Sequence, residues 1–328
     1  MIRRFFIGIA MGICDAVPGV SGSTMALVCG IYHDLIRHIH EILAGIKRLP
    51  SFLKEDTVRM VIFFGPLAAG IGLGLISALK LLVGDHADAL KDAARTGDRD
   101  IVAEAIAQQN GWLMQAETAP IVFAAFFGLI IATLSVPWQQ RDSSASQTRG
   151  IGLALAGTVA AVAASLLSVS LPMHPAIVLL GGLLAISAML LPGISGSLIL
   201  LLLGLYQPIS VAARNLDLTI VAPFMLGMLL GVGLMIPLLN FLLRRANNDL
   251  MAFLTGLLLG SLVAVWPWKT HYWAACIPVY GPMYPQAPNE ENILQILAAM
   301  FIGWAVVFAS RTFANRLQQS QDTVEKDA

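Results

Sequence analysis

The chain has 328 residues, 57% of them hydrophobic and only 12% charged, with a mean hydropathy of +0.76. That balance excludes a soluble globular domain, whose surface needs about twice the charge. Twenty Lys and Arg offset 20 Asp and Glu; with no basic domain or aromatic-basic stripe to neutralise phosphates along a strand, nucleic acid is excluded as a partner and a polytopic membrane protein remains.

The first residues imitate a signal peptide, with Arg3 and Arg4 ahead of an apolar run. Asp15 and Pro18 interrupt that run, and its downstream half recurs in mid-chain, so it reads as part of the fold. The recurrence is PGVSGST, from Pro18 to Thr24, returning as PGISGSL, from Pro192 to Leu198. Over Pro18 to Tyr32 and Pro192 to Tyr206, eight of 15 positions are identical at a constant offset of 174.

In chain order the sequence predicts a first motif segment over 5–36, then apolar spans at 58–83, 119–138 and 150–170. A second motif segment over 176–209 and spans at 219–243, 250–267 and 293–312 follow. Each span approaches the roughly 20 residues that a bilayer crossing takes. Between them, 85–118 reads as a partly helical extramembrane excursion. His33, His38 and His40, among Asp34, Arg37 and Glu41, read as a solvated loop rather than a metal site. Cys14, Cys29 and Cys276 show no metal-type spacing and imply no disulfide framework. No cofactor is expected.

The duplication continues past the motif. Gly70 and Gly72 match Gly231 and Gly233; Phe123 with Pro137-Trp138 matches Phe253 with Pro267-Trp268. The offset falls from 174 to 161 to 130 because the first copy carries longer loops, and loop insertions cost little. Lysines and arginines then discriminate between two topologies. If each motif segment crosses the membrane, the repeats are parallel and the cations divide 11 to 9. If each enters and returns on one side, the side holding the amino terminus collects 14 and the other side six.

The second division favours re-entrant segments. Three crossings per copy then turn the second copy upside down, as in many secondary transporters. The predicted fold is an all-α polytopic membrane protein with an inverted repeat, six transmembrane helices and two re-entrant helical hairpins. The first repeat covers 1–171, the second 172–313, and 314–328 is a tail, with both termini cytoplasmic.

Within each hairpin, Pro and Gly stop the incoming helix and Ser-Gly-Ser is suited to cap the outgoing one. The orphan N–H groups of a helix start suit an anion, glycine admits it close to the backbone, and hydroxyls add donors. The candidate set is Pro18, Gly19, Ser21, Gly22, Ser23 and Thr24 with Pro192, Gly193, Ser195, Gly196 and Ser197. A packing role for these small residues is the bland alternative. Asp15 is an intramembrane carboxylate whose counterpart is Met189, which makes it a candidate for gating or for coupling to a proton or sodium gradient. Tyr32 and Tyr206 read as interfacial anchors first, and Arg214 as an outer-side cation able to attract an anionic headgroup.

The pair GICDAVPGVSGSTMALVCGIY and LLPGISGSLILLLLGLY resembles the polyprenyl-phosphate transporter family, over essentially the whole chain. The resemblance implies a flippase that returns undecaprenyl phosphate across the bacterial cytoplasmic membrane for reuse in envelope polymers, with the lipid phosphate and the bilayer as partners. It carries Asp15, Pro18, Gly19, Ser21, Gly22 and Thr24, then Pro192, Gly193, Ser195, Gly196 and Ser197; a glycine is common in the family where Ser23 stands. A small-anion channel or exchanger is the alternative. Undecaprenyl-pyrophosphate phosphatases share a similar PGxSRS element, but they need arginine where Gly22 and Gly196 stand and a glutamate-rich motif that is missing here, so an enzyme is not expected.

Overall fold

The computed structural model describes residues 2–17, 20–46, 56–83, 112, 117–166, 171–214, 216–269, 285–288 and 292–326. The helices in order are α1 (Ile2–Ala16), α2 (Gly22–Val28), α3 (Tyr32–Ile46), α4 (Asp56–Val83), α5 (Ala119–Thr133) and α6 (Ser135–Gln139). They continue with α7 (Gln147–Leu166), α8 (Pro175–Leu190), α9 (Gly196–Leu202), α10 (Tyr206–Arg214), α11 (Leu218–Arg245), α12 (Asn247–Ser261) and α13 (Ile293–Lys326). Among the described residues there is no β-strand, only an isolated bridge between Lys269 and Pro285.

Among the described residues, four stretches are long and apolar enough to cross a membrane: Val61–Leu82, Ala119–Gln139, Gln147–Leu166 and Leu218–Arg245. Their outward faces carry Leu73, Ile76, Leu155, Val159, Leu229 and Leu234, all exposed, which suits hydrocarbon rather than water. The chain is a multi-pass membrane protein. Prolines inside α4 (Pro66) and α11 (Pro223, Pro237) fit the same setting, where neighbouring helices re-satisfy the freed carbonyls.

Two expectations change. The stretch expected to cross at 250–267 is the 15-residue α12 followed by turns, and Leu250, Met251, Ala252, Leu254, Leu257 and Leu258 are all buried. α12 is an interior helix wrapped by others, which apolar composition alone does not distinguish from a lipid-facing one. The histidine cluster is not a loop: His33, His38 and His40 lie on α3, where Arg37 pairs with Asp34 at 2.7 Å one turn away. The helical excursion expected at 85–118 falls almost entirely outside the described residues.

The long helices associate in pairs through glycine. α1 lies on α4, with Gly8 against the carbonyl of Leu67, and α8 lies on α11, with Gly182 against the carbonyl of Phe224. Gly8 and Gly182 are separated by the same 174 residues as the motif. The other two pairs join the halves of the chain: α7 packs on α12 at Gly157 and Gly256, and α5 packs on α13 at Gly128 and Gly303. Backbone contact of this closeness is how membrane helices gain dispersion energy where no hydrophobic effect drives them together.

Candidate anion site at the paired breaks

Each motif folds the same way. The incoming helix stops, α1 at Ala16 and α8 at Leu190, and the seven-residue α2 and α9 follow. Both short helices turn back beside the incoming one. A Cβ placed on Gly22 would lie 3.0 Å from the carbonyl of Met11, and one on Gly196 would lie 2.6 Å from that of Ala185, in each case 11 residues upstream. Glycine is required because backbone approaches backbone there.

Both short helices then end identically. Gly30 and Gly204 adopt φ of 72° and 70°. Ile31 N donates to Ala26 O and Leu205 N to Leu200 O, both at 2.9 Å, while Gly30 N and Gly204 N donate to Leu27 O and Leu201 O. This is the Schellman stop, in which a left-handed glycine satisfies the last carbonyls of a helix. It accounts for the Gly identity near the end of the repeated block.

At the starts of the short helices, Ser21 and Ser195 occupy the cap position with extended backbone, as the motif predicts. Their side chains do not cap, which corrects the expectation. Each hydroxyl instead pairs with the serine two residues on, Ser21 with Ser23 at 2.7 Å and Ser195 with Ser197 at 2.8 Å. Ser21, Ser23, Thr24 and Ser195 are buried. At about 10 Å, helices of two turns bring only a weak dipole, so individual N–H and O–H donors decide what binds.

The breaks converge. Thr24 Oγ1 accepts from Gly193 N at 3.1 Å, Tyr32 Oη donates to Leu190 O at 3.0 Å, and Ser21 Oγ reaches Met189 O at 3.5 Å. Tyr32 is 1% exposed, so it is an interior clasp and not the interfacial anchor that its position suggested. Tyr206, its counterpart, is half-buried at the start of α10. Pro192 and Gly193 line the second break, with Gly193 at φ 96°. Pro18, Gly19 and the side chain of Arg214 lie outside the described residues.

The donors are not equally committed. At the first break Asp15 Oδ1 accepts from Gly22 N at 2.6 Å, so a carboxylate already occupies the helix start. Ser23 and Ser21 both have acceptors, each other's hydroxyl and Met189 O. At the second break Met189 replaces Asp15. No side chain caps α9, and one hydroxyl proton of the Ser195–Ser197 pair has no acceptor among the described residues. The arginines near the start are engaged elsewhere: Arg3 donates to Cys29 O and Arg4 to Ile62 O.

Two features escape sequence reasoning. The backbone wall behind Gly193, at Leu257 and Leu258 of α12, has no motif to signal it. Lys269, counted as an outer-side cation, is buried: its Nζ donates to Ala264 O and lies 3.8 Å from the centroid of Phe123. No carboxylate pairs with it among the described residues, and burial pushes the ammonium down to about 7.

Known proteins align with this arrangement. A family profile described as VCA0040-like, undecaprenyl phosphate translocase-like, matches residues 11–87 and 102–276, which take in both breaks. A polyprenyl-phosphate transporter from Vibrio cholerae serotype O1 is 34% identical over 272 residues, covering 82% of this chain and 78% of that protein. No solved structure matches the chain. The family match covers both breaks and the relative is matched over most of its length and of this chain's, and the chain belongs to the undecaprenyl phosphate translocase-like family.

Proposed function

We propose that the chain is a flippase that moves undecaprenyl phosphate, or a close polyprenyl phosphate, across the bacterial cytoplasmic membrane. The single observation that carries this is the open donor set at the second break beside a filled one at the first. Phosphate needs N–H and O–H donors, and Gly196, Ser195 and Ser197 present them in a buried setting where hydrogen bonds are strong. Only the headgroup needs such a path, since the prenyl tail stays in hydrocarbon. Carrying a bare phosphate through that medium without donors is prohibitive. The transporter name of the relative supports the same substrate.

The reading extends to topology. The two motif segments are re-entrant hairpins in an inverted repeat, with first repeat 1–171, second repeat 172–313 and six crossings. Matching pairs α1–α4 and α8–α11, and the exchange of partners in α7–α12 and α5–α13, support a two-fold relation between the halves. The 14 to 6 cation division supports cytoplasmic termini. A thiol introduced at Gly45 is then protected from impermeant reagent outside the cell and one at Ala213 is labelled; the reverse pattern refutes the orientation. Asp15 is the candidate for coupling to a proton or sodium gradient.

The test of function is flipping of labelled polyprenyl phosphate by purified protein in vesicles. Ser21→Ala with Ser195→Ala lowers the rate at least tenfold while the protein folds normally, because the Ser195 donor lost to a charged group is worth about 1.5–3 kcal/mol and Ser21 is lost from the contact with Met189 O. Undiminished flipping by the double variant rules out the paired breaks as the headgroup site. Flipping that is outcompeted by chloride or inorganic phosphate at millimolar concentration points instead to a small-anion exchanger.

A further inference from the structure

We infer that Thr24 and Tyr32 are positioning residues that hold the second break in place from the first, so that one half of the molecule sets the geometry of both donor sets. This inference rests on the reading of the breaks as the headgroup site, and it adds residues that act on that site without contacting the headgroup.

Where α8 stops, its last carbonyls lose their helical partners, and in a membrane interior no water replaces them. Leu190 O, at the last helical position, receives the Tyr32 hydroxyl at 3.0 Å, and Met189 O receives Ser21 at 3.5 Å. Gly193 N, freed by the left-handed turn at φ 96°, donates to Thr24 Oγ1 at 3.1 Å. Thr24 and Tyr32 are each 1% exposed, so no solvent competes for these bonds.

All three described bonds between the breaks run from side chains of the first motif to backbone of the second. The repeat shows why the arrangement is not reciprocated at the threonine. Leu198 stands at the position matching Thr24 and offers no acceptor. The first break needs no such help at its helix start, because Asp15 of its own incoming helix accepts from Gly22 N. One break is held from within at its helix start, and the other is tied from across the interface at the end of α8 and at Gly193.

Two consequences follow for the site. Gly193 N is held by Thr24 and so is not a donor to the headgroup in this conformation, and the Thr24 oxygen that holds it acts as a fixed acceptor between the two breaks. The Ser195–Ser197 pair begins two residues after Gly193, so its placement depends on the same hydrogen bond. Releasing it lets the second break shift while the hydroxyls themselves are intact.

The test compares Thr24→Val, which keeps the shape and removes the acceptor, with Thr24→Ser, which keeps the hydroxyl; Tyr32→Phe is the second site. Backbone hydrogen exchange across residues 189–196 is measured on the full-length protein in vesicles without added lipid phosphate, with flipping of labelled undecaprenyl phosphate measured in parallel. Thr24→Val and Tyr32→Phe each raise exchange of the second break about fivefold, as loss of one hydrogen bond implies, and together about twentyfold. Thr24→Ser stays near the parent. In flipping, the maximal rate changes by a similar factor while half-saturation moves less than twofold, the pattern of a residue that positions donors without touching the headgroup.

Equal behaviour of Thr24→Val and Thr24→Ser, or unchanged exchange in Thr24→Val, overturns the inference. The exchange arm requires no substrate. If exchange responds as stated but no polyprenyl phosphate is flipped, the proposed function fails and the clasp stands; if flipping is normal and exchange is unaltered, the clasp fails alone.

Discussion

The two breaks share a sequence and a backbone path yet are stabilised in different ways. The first is self-contained: Asp15 accepts from Gly22 N, Ser23 and Ser21 bond one another, and Val17 N and Val20 N close local turns on Cys14 O and Val17 O. The second has neither a carboxylate nor a side-chain cap on α9. It is bounded by the backbone of α12 and by hydroxyls from the first motif. A duplicated motif therefore need not give duplicated chemistry. In the proposed function, the half that is internally satisfied is the fixed support, and the half with donors to spare is the one that takes the anion.

The sharpest way to break this contrast is Gly193→Ala. The residue sits at φ 96°, where an L side chain is strained, and its Cβ would lie 2.9 Å from Leu257 C and Leu258 N, backbone atoms of an interior helix that cannot step aside. Strain and overlap together cost on the order of 3 kcal/mol or more. The expected result is near-complete loss of flipping with a lowered unfolding midpoint. Gly30→Ala is the matched comparison: its φ is 72° but nothing lies within 4 Å of a new Cβ, so only the backbone term of about 1 kcal/mol applies. Equal effects at the two glycines would mean that the wall behind the second break does not matter.

The contrast also shows what sequence can and cannot carry. Helical membrane architecture, the two breaks and their αL stops follow from local rules, because Pro, Gly and Ser act on the backbone within a few residues of themselves. The exposed apolar faces of α4, α7 and α11 follow from composition. What stays hidden is relational. Tyr32 looks like an interfacial aromatic until Leu190 O is placed 3.0 Å away, 158 residues along the chain. α12 reads as one more lipid-facing span until α5, α6, α7 and α11 are found packed on it. Ser21 reads as a capping side chain, yet its hydroxyl pairs with Ser23, and Thr24 N, an amide within its reach as a cap, donates to Ser21 O instead.

Asp15→Asn sharpens the difference at moderate amplitude. The amide oxygen still accepts from Gly22 N, so the first break keeps its cap and the protein keeps its fold, with less than about 1 kcal/mol lost. What disappears is the charge. If Asp15 couples transport to an ion, the variant loses the dependence of flipping rate on pH or on sodium while still binding the headgroup at the second break. An unaltered pH and sodium profile assigns the carboxylate to capping alone. Gly22→Ala approaches the same contact from the other side, since its Cβ would meet Asp15 Oδ2; it reproduces the Asp15 phenotype if the carboxylate must stay seated.

The smallest expected effect on either break comes from Lys269, and for that reason it separates the comparison from general stability. Lys269 touches neither motif, and burial pushes its ammonium from 10.5 down to about 7. Below about pH 7 the folded and unfolded chains both hold the proton, and the folded chain carries the cost of a buried charge. Between about 7 and 10.5 the unfolded chain still binds the proton that the folded chain has released, so stability rises with pH across that window. Lys269→Met retains the aliphatic reach over Phe123 and removes the titration, so its unfolding midpoint loses that rise while its flipping at fixed pH equals the parent's. A rise of unchanged size in Lys269→Met assigns the pH dependence to other groups. If the rise is lost and flipping changes with it, the C-terminal end of α12 is coupled to the second break through Leu257 and Leu258, and the support for that break extends beyond the first motif.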